Sequence, residues 1–156
     1  MEIPIEKGPS ELDDFVKKCT NELFNGKTHL FAFPDDCFSE KWPVDQIKNL
    51  NKDFLEEVNG NANIYVISIR ERGTKSWKKM YVGQRKSSYM RDRMREHLIK
   101  KDDQTRSMLE RIKEAVSNKK EVGISFIKVE PDSLRLFVEE MIIKANKKTL
   151  EWNSHG

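Results

Sequence analysis

Asn63 to Ile69 (Asn-Ile-Tyr-Val-Ile-Ser-Ile) is dense in β-branched and aromatic side chains, which lose rotamer freedom in a helix and pack well on a pleated strand. Arg72-Gly73-Thr74 follows as a turn, and Trp77 to Gln84 reads as the returning strand. An antiparallel hairpin with a charged tip is predicted, and the other elements must be arranged around it. Just upstream, Asn59-Gly60-Asn61 ends a different pattern and marks the best boundary. Residues 1–60 are therefore read as a mainly helical N-terminal extension, and 61–156 as the principal domain.

Within the extension, Ser10 with Asp13, just after Pro9, reads as a helix cap with an acid in the first turn. Leu12, Phe15, Val16, Cys19 and Leu23 recur at helical spacing until Asn25-Gly26. Leu30 to Phe33 is a short apolar stretch that suits either a strand or a packed loop. Val44, Ile47, Leu50, Phe54, Leu55 and Val58 form a second amphipathic run. Beyond the hairpin, Ser88 is placed to cap a helix with Tyr89, Met90, Met94 and Leu98 on its apolar side. Met108, Leu109, Ile112, Ala115 and Val116 mark another helix, and alternation of Val122, Ile124 and Phe126 marks a third strand. Asp132 or Ser133 would cap a last helix carrying Leu134, Phe137, Val138, Met141 and Ile142. The order from Asn63 is β-β-α-α-β-α, an α+β fold with a small antiparallel three-stranded sheet flanked by helices.

Composition narrows the class. With 37% hydrophobic and 35% charged residues, the chain supports a modest core under a charged surface and is too apolar for a disordered segment. No apolar run reaches membrane-spanning length, so no membrane role is expected, and the first residues lack a secretory segment. Cys19 and Cys37 match neither a metal-ligand spacing nor a disulfide framework, which points to a reducing intracellular compartment. The net charge of +3 is unevenly divided. From Arg70 to Lys101 twelve basic residues face only Glu71, Asp92 and Glu96, an excess of nine, which leaves six net negative charges on the other residues. Such segregation suits a polyanion, although a solvated helix face would also produce it.

Two features bear on chemistry. Arg93 and His97 are four apart on a predicted helix and share one face, with Met94 and Leu98 turned to the core. Arginine neutralises a phosphate bidentately, and histidine shuttles protons near neutral pH. An ordinary surface histidine is the plainer reading of His97. On the last helix, Glu139 and Glu140 follow Phe137-Val138, so one of the two lies at the edge of a buried face. A carboxylate there requires a cation or hydrogen bonds. Magnesium, which takes one or two carboxylates and keeps several waters, would satisfy it, and so would a structural salt bridge.

Taken together, these residues resemble the GIY-YIG nuclease superfamily. Asn63-Ile64-Tyr65 stands where the first triplet would be and Tyr81-Val82-Gly83 where the second would be. Arg93 and His97 follow with the family spacing. Val138-Glu139-Glu140-Met141-Ile142-Ile143-Lys144 is similar to the segment bearing the metal-binding glutamate, a register that selects Glu139. Leu150-Glu151-Trp152-Asn153 is similar to the terminal segment that ends in asparagine. The resemblance spans Asn63 to Asn153 in chain order. It departs from the family at Asn63, where a glycine is usual, and in the longer Tyr65 to Tyr81 hairpin. Longer hairpins and the Arg/His pair both occur in the restriction-endonuclease branch.

The resemblance implies an Mg²⁺- or Mn²⁺-dependent endonuclease acting on DNA, with Tyr65, Tyr81, Arg93, His97, Glu139 and Asn153 as site residues and Glu139 as the metal ligand. Arg93 would hold a non-bridging phosphate oxygen, one of the two tyrosines would orient or deprotonate the water, and His97 would assist. An ordinary C-terminal polar residue describes Asn153 equally well. Lys78, Lys79, Gly83, Arg85, Lys86 and Arg91 are the expected nucleic-acid contacts. Gly83 would allow close approach of the DNA backbone or a turn at the strand end. Trp152 reads as a core plug, and Trp77 and Tyr89 as packing residues before nucleic-acid contacts. Residues 1–60 would help read the substrate, and a homodimer on a palindrome suits the chain's size. The alternative is a non-catalytic nucleic-acid-binding module on the same fold.

Overall fold

The computed structural model describes residues 1–2, 10–39, 41–102 and 106–153. In chain order its elements are α1 (Ser10–Asn25), β1 (His29–Phe31), α2 (Val44–Leu50), α3 (Lys52–Val58), β2 (Ile64–Glu71), β3 (Lys78–Gln84), α4 (Met90–Leu98), α5 (Leu109–Ser117), β4 (Lys120–Ile127) and α6 (Leu134–Ala145). Short 3₁₀ turns occupy Asp35–Phe38, Ser87–Tyr89 and Glu151–Asn153. The fold is α+β, as expected, but the sheet has four strands in the order β1-β4-β2-β3, not three. All three pairings are antiparallel. The extra strand is β1, drawn from the stretch that a loop would also have suited. It pairs His29 with Ile124 and Phe31 with Val122.

β2 lies between two strands and is buried on both faces, which explains why its sequence is apolar almost throughout. Its period of two sorts the side chains. Tyr65, Ile67 and Ile69 join Val122, Ile124, Met90, Met94, Leu98, Ile112, Phe31, Ile47 and Leu55 in one core layer. Ile64 and Val66 join Val82, Val138, Ile142, Cys19 and Leu23 in the other. α2 to α5 thus cover one face of the sheet, and α1 and α6 the other.

The hairpin turn closes with the Thr74 amide donating to the Glu71 carbonyl at 3.1 Å, and Gly73 takes φ 87°, a conformation that favours glycine. Further along, the β2–β3 register slips between Ile67 and Ser68. Tyr81 pairs with Ile67 and Lys79 with Ser68, so Met80 is the extra residue of a bulge. Met80 and Tyr81, though adjacent, consequently both turn to the face that carries Tyr65.

Several local expectations change. The second amphipathic run is two helices that meet at Asn51, and Leu50 at the break is exposed. α4 begins at Met90 with no side-chain cap, because Ser87 to Tyr89 form a 3₁₀ turn, so Ser88 does not cap it. Ser133 occupies the cap position of α6 without a capping bond, and Asp132 instead engages Arg135 and Asn63. The predicted cap at Ser10 rests on a side chain outside the described residues. Cys19 and Cys37 are both buried and unpaired. No helix among the described residues is long and apolar enough to cross a membrane.

Candidate active site

β3 is an edge strand, and α6 and the C-terminal 3₁₀ turn lie along it. Tyr65 comes from the centre of β2 and Tyr81 from β3. Arg93 and His97 stand one turn apart on α4, and Glu139 projects from α6. The rings of Tyr65, Tyr81 and His97 form a triangle with centroid separations of 6.2, 5.5 and 5.4 Å. Five residues distant in sequence are therefore neighbours in space.

His97 is fully buried and its two ring nitrogens have different partners. The Met108 amide donates to Nδ1 at 3.0 Å, and Nε2 lies 2.6 Å from the Tyr65 hydroxyl. A backbone N–H can only donate, so Nδ1 is an acceptor and the ring proton sits on Nε2, which donates to the Tyr65 oxygen. Burial, reinforced by Arg93 and Arg85, holds the imidazole pKa well below its ordinary value. His97 is thus a fixed neutral donor, in contrast to the surface histidine or neutral-pH shuttle that the sequence suggests.

Tyr65 is 0% exposed, and burial raises its pKa, with Tyr81 adding to the effect and Arg93 opposing it. Tyr81 is only partly buried. Its pKa is also raised by burial, with the charge of Arg93 opposing and that of Glu139 adding. Beneath the Tyr65 ring lies Gly83, its cross-strand partner. A Cβ at Gly83 would stand 2.3 Å from the Tyr65 hydroxyl oxygen. Gly83 therefore makes room for a tyrosine, and it lies within β3 and not in a turn.

Arg93 is mostly buried and donates from Nη1 to Glu96 Oε2 at 2.8 Å. Its charge reaches both phenols and Glu139. Glu139 is partly buried and makes no ion pair or side-chain hydrogen bond with the described residues. Its carboxyl is pushed up to about 7 by burial and by Glu140, against the pull of Arg135 and Arg93. Glu140, one residue on, is exposed and paired with Lys144 at 3.2 Å. That contrast separates the two glutamates physically: Glu140 is a solvated helix pair, and Glu139 lacks a counter-ion in contact. Among the described residues no three His, Cys, Asp or Glu side chains cluster as metal ligands. The donor available to a metal among the described residues is one carboxylate, which suits a hard cation that keeps most of its waters.

Asn153 grips β3 from outside. The Val82 amide donates to its Oδ1 at 2.8 Å and its Nδ2 donates to the Val82 carbonyl at 2.9 Å. This two-point clamp fixes the terminal segment beside Tyr81 and seats Trp152, which is buried as expected of a core plug. Asn153 is a positioning residue here.

The expected nucleic-acid contacts divide. Arg85 and Lys86 are exposed on a cleft of about 500 Å³ that adjoins the site through Glu96 and Arg135. Arg91 lies on a separate groove between α4 and the Lys48–Lys52 segment. Lys78 is tied to Glu151 at 3.0 Å, and Lys79 leans on the Trp77 carbonyl at 3.2 Å. Trp77 packs as expected, with the Arg70 guanidinium 4.0 Å over its ring. Tyr89 does not pack: it is 57% exposed in the cleft.

Two further residues shape the site. Asn63 is buried, and its side chain pairs with both polar groups of Val129, accepting from the amide at 2.8 Å and donating to the carbonyl at 2.9 Å. It thereby holds the β4–α6 connection that carries Glu139. No local signal marks this, because the partners are 66 positions apart. Arg135 does have a signal, since it precedes Glu139 by four residues on one helix. Comparison of the chain with family models, with curated proteins and with solved structures returns no match.

Proposed function

We propose that the chain is an Mg²⁺- or Mn²⁺-dependent endonuclease that hydrolyses DNA phosphodiester bonds at the β3 edge, with a GIY-YIG-type site. The observation that carries this reading is Glu139, a half-buried carboxylate without a contacting counter-ion, beside Arg93 and two phenols. A half-buried carboxylate left so must take up either a proton or a cation, and the arginine meets the need of a second anion, the phosphate.

Roles follow from burial. Tyr65 is sealed and takes a hydrogen bond from His97, so it orders the interior of the site. Tyr81 reaches solvent and is the phenol that meets the attacking water. Arg93 keeps Nη1 on Glu96 and has other N–H groups to offer a non-bridging phosphate oxygen. Glu139 would hold the metal, which when bound supplies charge stabilisation at the scissile phosphate and the leaving oxygen. Both phenols are neutral at pH 7, so Tyr81 orients the water and gives up its own proton only once positive charge is gathered nearby.

Digestion of mixed-sequence DNA with Mg²⁺, followed by sequencing of the ends, tests the reading. Cleavage that EDTA abolishes is expected. Discrete sites would indicate a restriction-type enzyme, for which a homodimer on a palindrome is the expected assembly, and junction-linked ends a structure-selective one. Glu139→Ala cutting as fast as wild type would sink the metal assignment. Binding to DNA and RNA without any cleavage would favour a non-catalytic module, a reading to which the neutral phenols lend some weight.

A further inference from the structure

We propose that the cleft beside the reaction centre holds one unstacked nucleotide of the substrate, its base laid on the Tyr89 ring and its phosphate between Arg85 and Lys86. The inference rests on the nuclease reading and adds a substrate requirement: the strand must leave the regular stack next to the bond that is cut.

Tyr89 carries the argument. Among the described residues it is the only aromatic among the exposed large hydrophobic side chains. Its backbone is nevertheless held firmly. The Tyr89 amide donates to the Lys86 carbonyl at 2.9 Å, the Gly60 amide to the Ser87 carbonyl at 2.8 Å, and the Arg91 amide to Asn59 Oδ1 at 3.2 Å. An open ring on a fixed turn is a stacking platform that costs little further ordering. Tyr89 borders the same cleft as Glu96, which holds Arg93 at 2.8 Å, so a phosphate on Arg93 lies beside the cleft and its neighbouring base can reach Tyr89.

The remaining wall suits a nucleotide. The cleft's two carboxylates are already engaged, Glu96 by Arg93 at 2.8 Å and Arg85 at 4.0 Å, and Asp92 by Arg95 at 3.6 Å. Lys86 is exposed and makes no ion pair with the described residues. Arg135 Nε donates to Gln84 Oε1 at 2.8 Å, which leaves the Gln84 amide N–H groups as donors for a base edge. Aromatic face, cation and oriented amide are the three contacts by which single-stranded nucleotides are held.

A double-mutant cycle on binding tests this without turnover. Affinity is measured in EDTA for oligonucleotide duplexes of known cleavage site, with an abasic residue scanned through the positions flanking the bond. Tyr89→Ala is expected to weaken intact substrate by about 5- to 150-fold, and Tyr89→Phe to keep wild-type affinity. At one flanking position the abasic substitution should lose a similar factor and lose almost nothing more in Tyr89→Ala. Equal Tyr89→Ala losses on intact and abasic DNA at every position would overturn the subsite while leaving cleavage, and so the nuclease reading, intact. Should wild type cut no DNA, the nuclease reading fails. The same scan on random-sequence single strands then decides the subsite alone, with a ring-dependent loss supporting it and its absence overturning it.

Discussion

His97 is sealed between two fixed partners, and a second ring proton would turn Nδ1 from an acceptor into a donor facing the Met108 amide. Its folded pKa lies well below the ordinary 6.5, so the neutral ring's stabilisation is present above about 6.5 and is lost as pH falls below that value. Wild type should therefore lose melting temperature steeply between pH 7 and pH 5, whereas His97→Gln, less stable at pH 7, should show a flatter slope. Parallel slopes would remove His97 as the acid-sensitive group. Glu139 works with the opposite sign. Its folded pKa of about 7 stands above the ordinary 4.5, so the stabilisation of its protonated form is complete below 4.5 and is lost as pH rises through 7. In EDTA at pH 8, Glu139→Gln should melt higher than wild type, and the gap should close towards pH 4. Mg²⁺ should raise the melting temperature of wild type and leave Glu139→Gln unmoved. Below pH 7 the Mg²⁺ concentration for half-maximal cleavage should rise about tenfold per pH unit, because only ionised Glu139 binds it.

At the level of elements, three asparagines substitute for strand pairing. Asn51 bonds both polar groups of Ala32, Asn63 those of Val129 and Asn153 those of Val82, each at 2.8 to 2.9 Å. Each closes the backbone of a segment that no further strand covers. Asn63→Ala would orphan a buried amide and carbonyl and should cost about 2 to 4 kcal/mol in chemical denaturation. Because Val129 leads into α6, the variant should also need more Mg²⁺ for half-maximal cleavage, and an unchanged requirement would separate Asn63 from Glu139. These clamps show where sequence reading stops. The β2–β3 hairpin, β4 and the Arg93–His97 spacing were legible, because their signals are periodicities within a dozen residues. β1 was not, since three residues carry no period and its partners lie far along the chain. The Met80 bulge is equally silent, being a matter of register between strands. For Tyr89, apolar neighbours imply packing only if the helix starts early enough to turn the ring inward, and α4 starts one residue too late.

Across the whole molecule, the basic excess between Arg70 and Lys101 is smaller in space than in sequence. Glu121 takes Arg70 at 3.1 Å and Glu151 takes Lys78. Near α4, Lys86 and Arg91 make no ion pair with the described residues, and Arg85 reaches Glu96 only at 4.0 Å. The described residues before Gly60 are bound into the same architecture. Phe31, Cys37, Ile47, Leu55 and Val58 share a core layer with Tyr65, Met94 and Ile112, and Trp42 Nε1 donates to the Ile99 carbonyl at 2.7 Å where α4 ends. Their side chains help to keep Met94 and Leu98 buried, and those two fix the rotation of α4 that aims Arg93 and His97 at the tyrosines. A fragment of residues 61–156 would expose the β4 edge that β1 covers and one flank of that core layer. Such a loss falls on a stability that for domains is only roughly 5 to 15 kcal/mol. The fragment should show no cooperative melting transition and no cleavage, and co-expressed residues 1–60 should restore both. A fragment that melts cooperatively by itself, at the temperature of the intact chain, would show instead that the first sixty residues are an appendage and that the reaction centre is positioned without them.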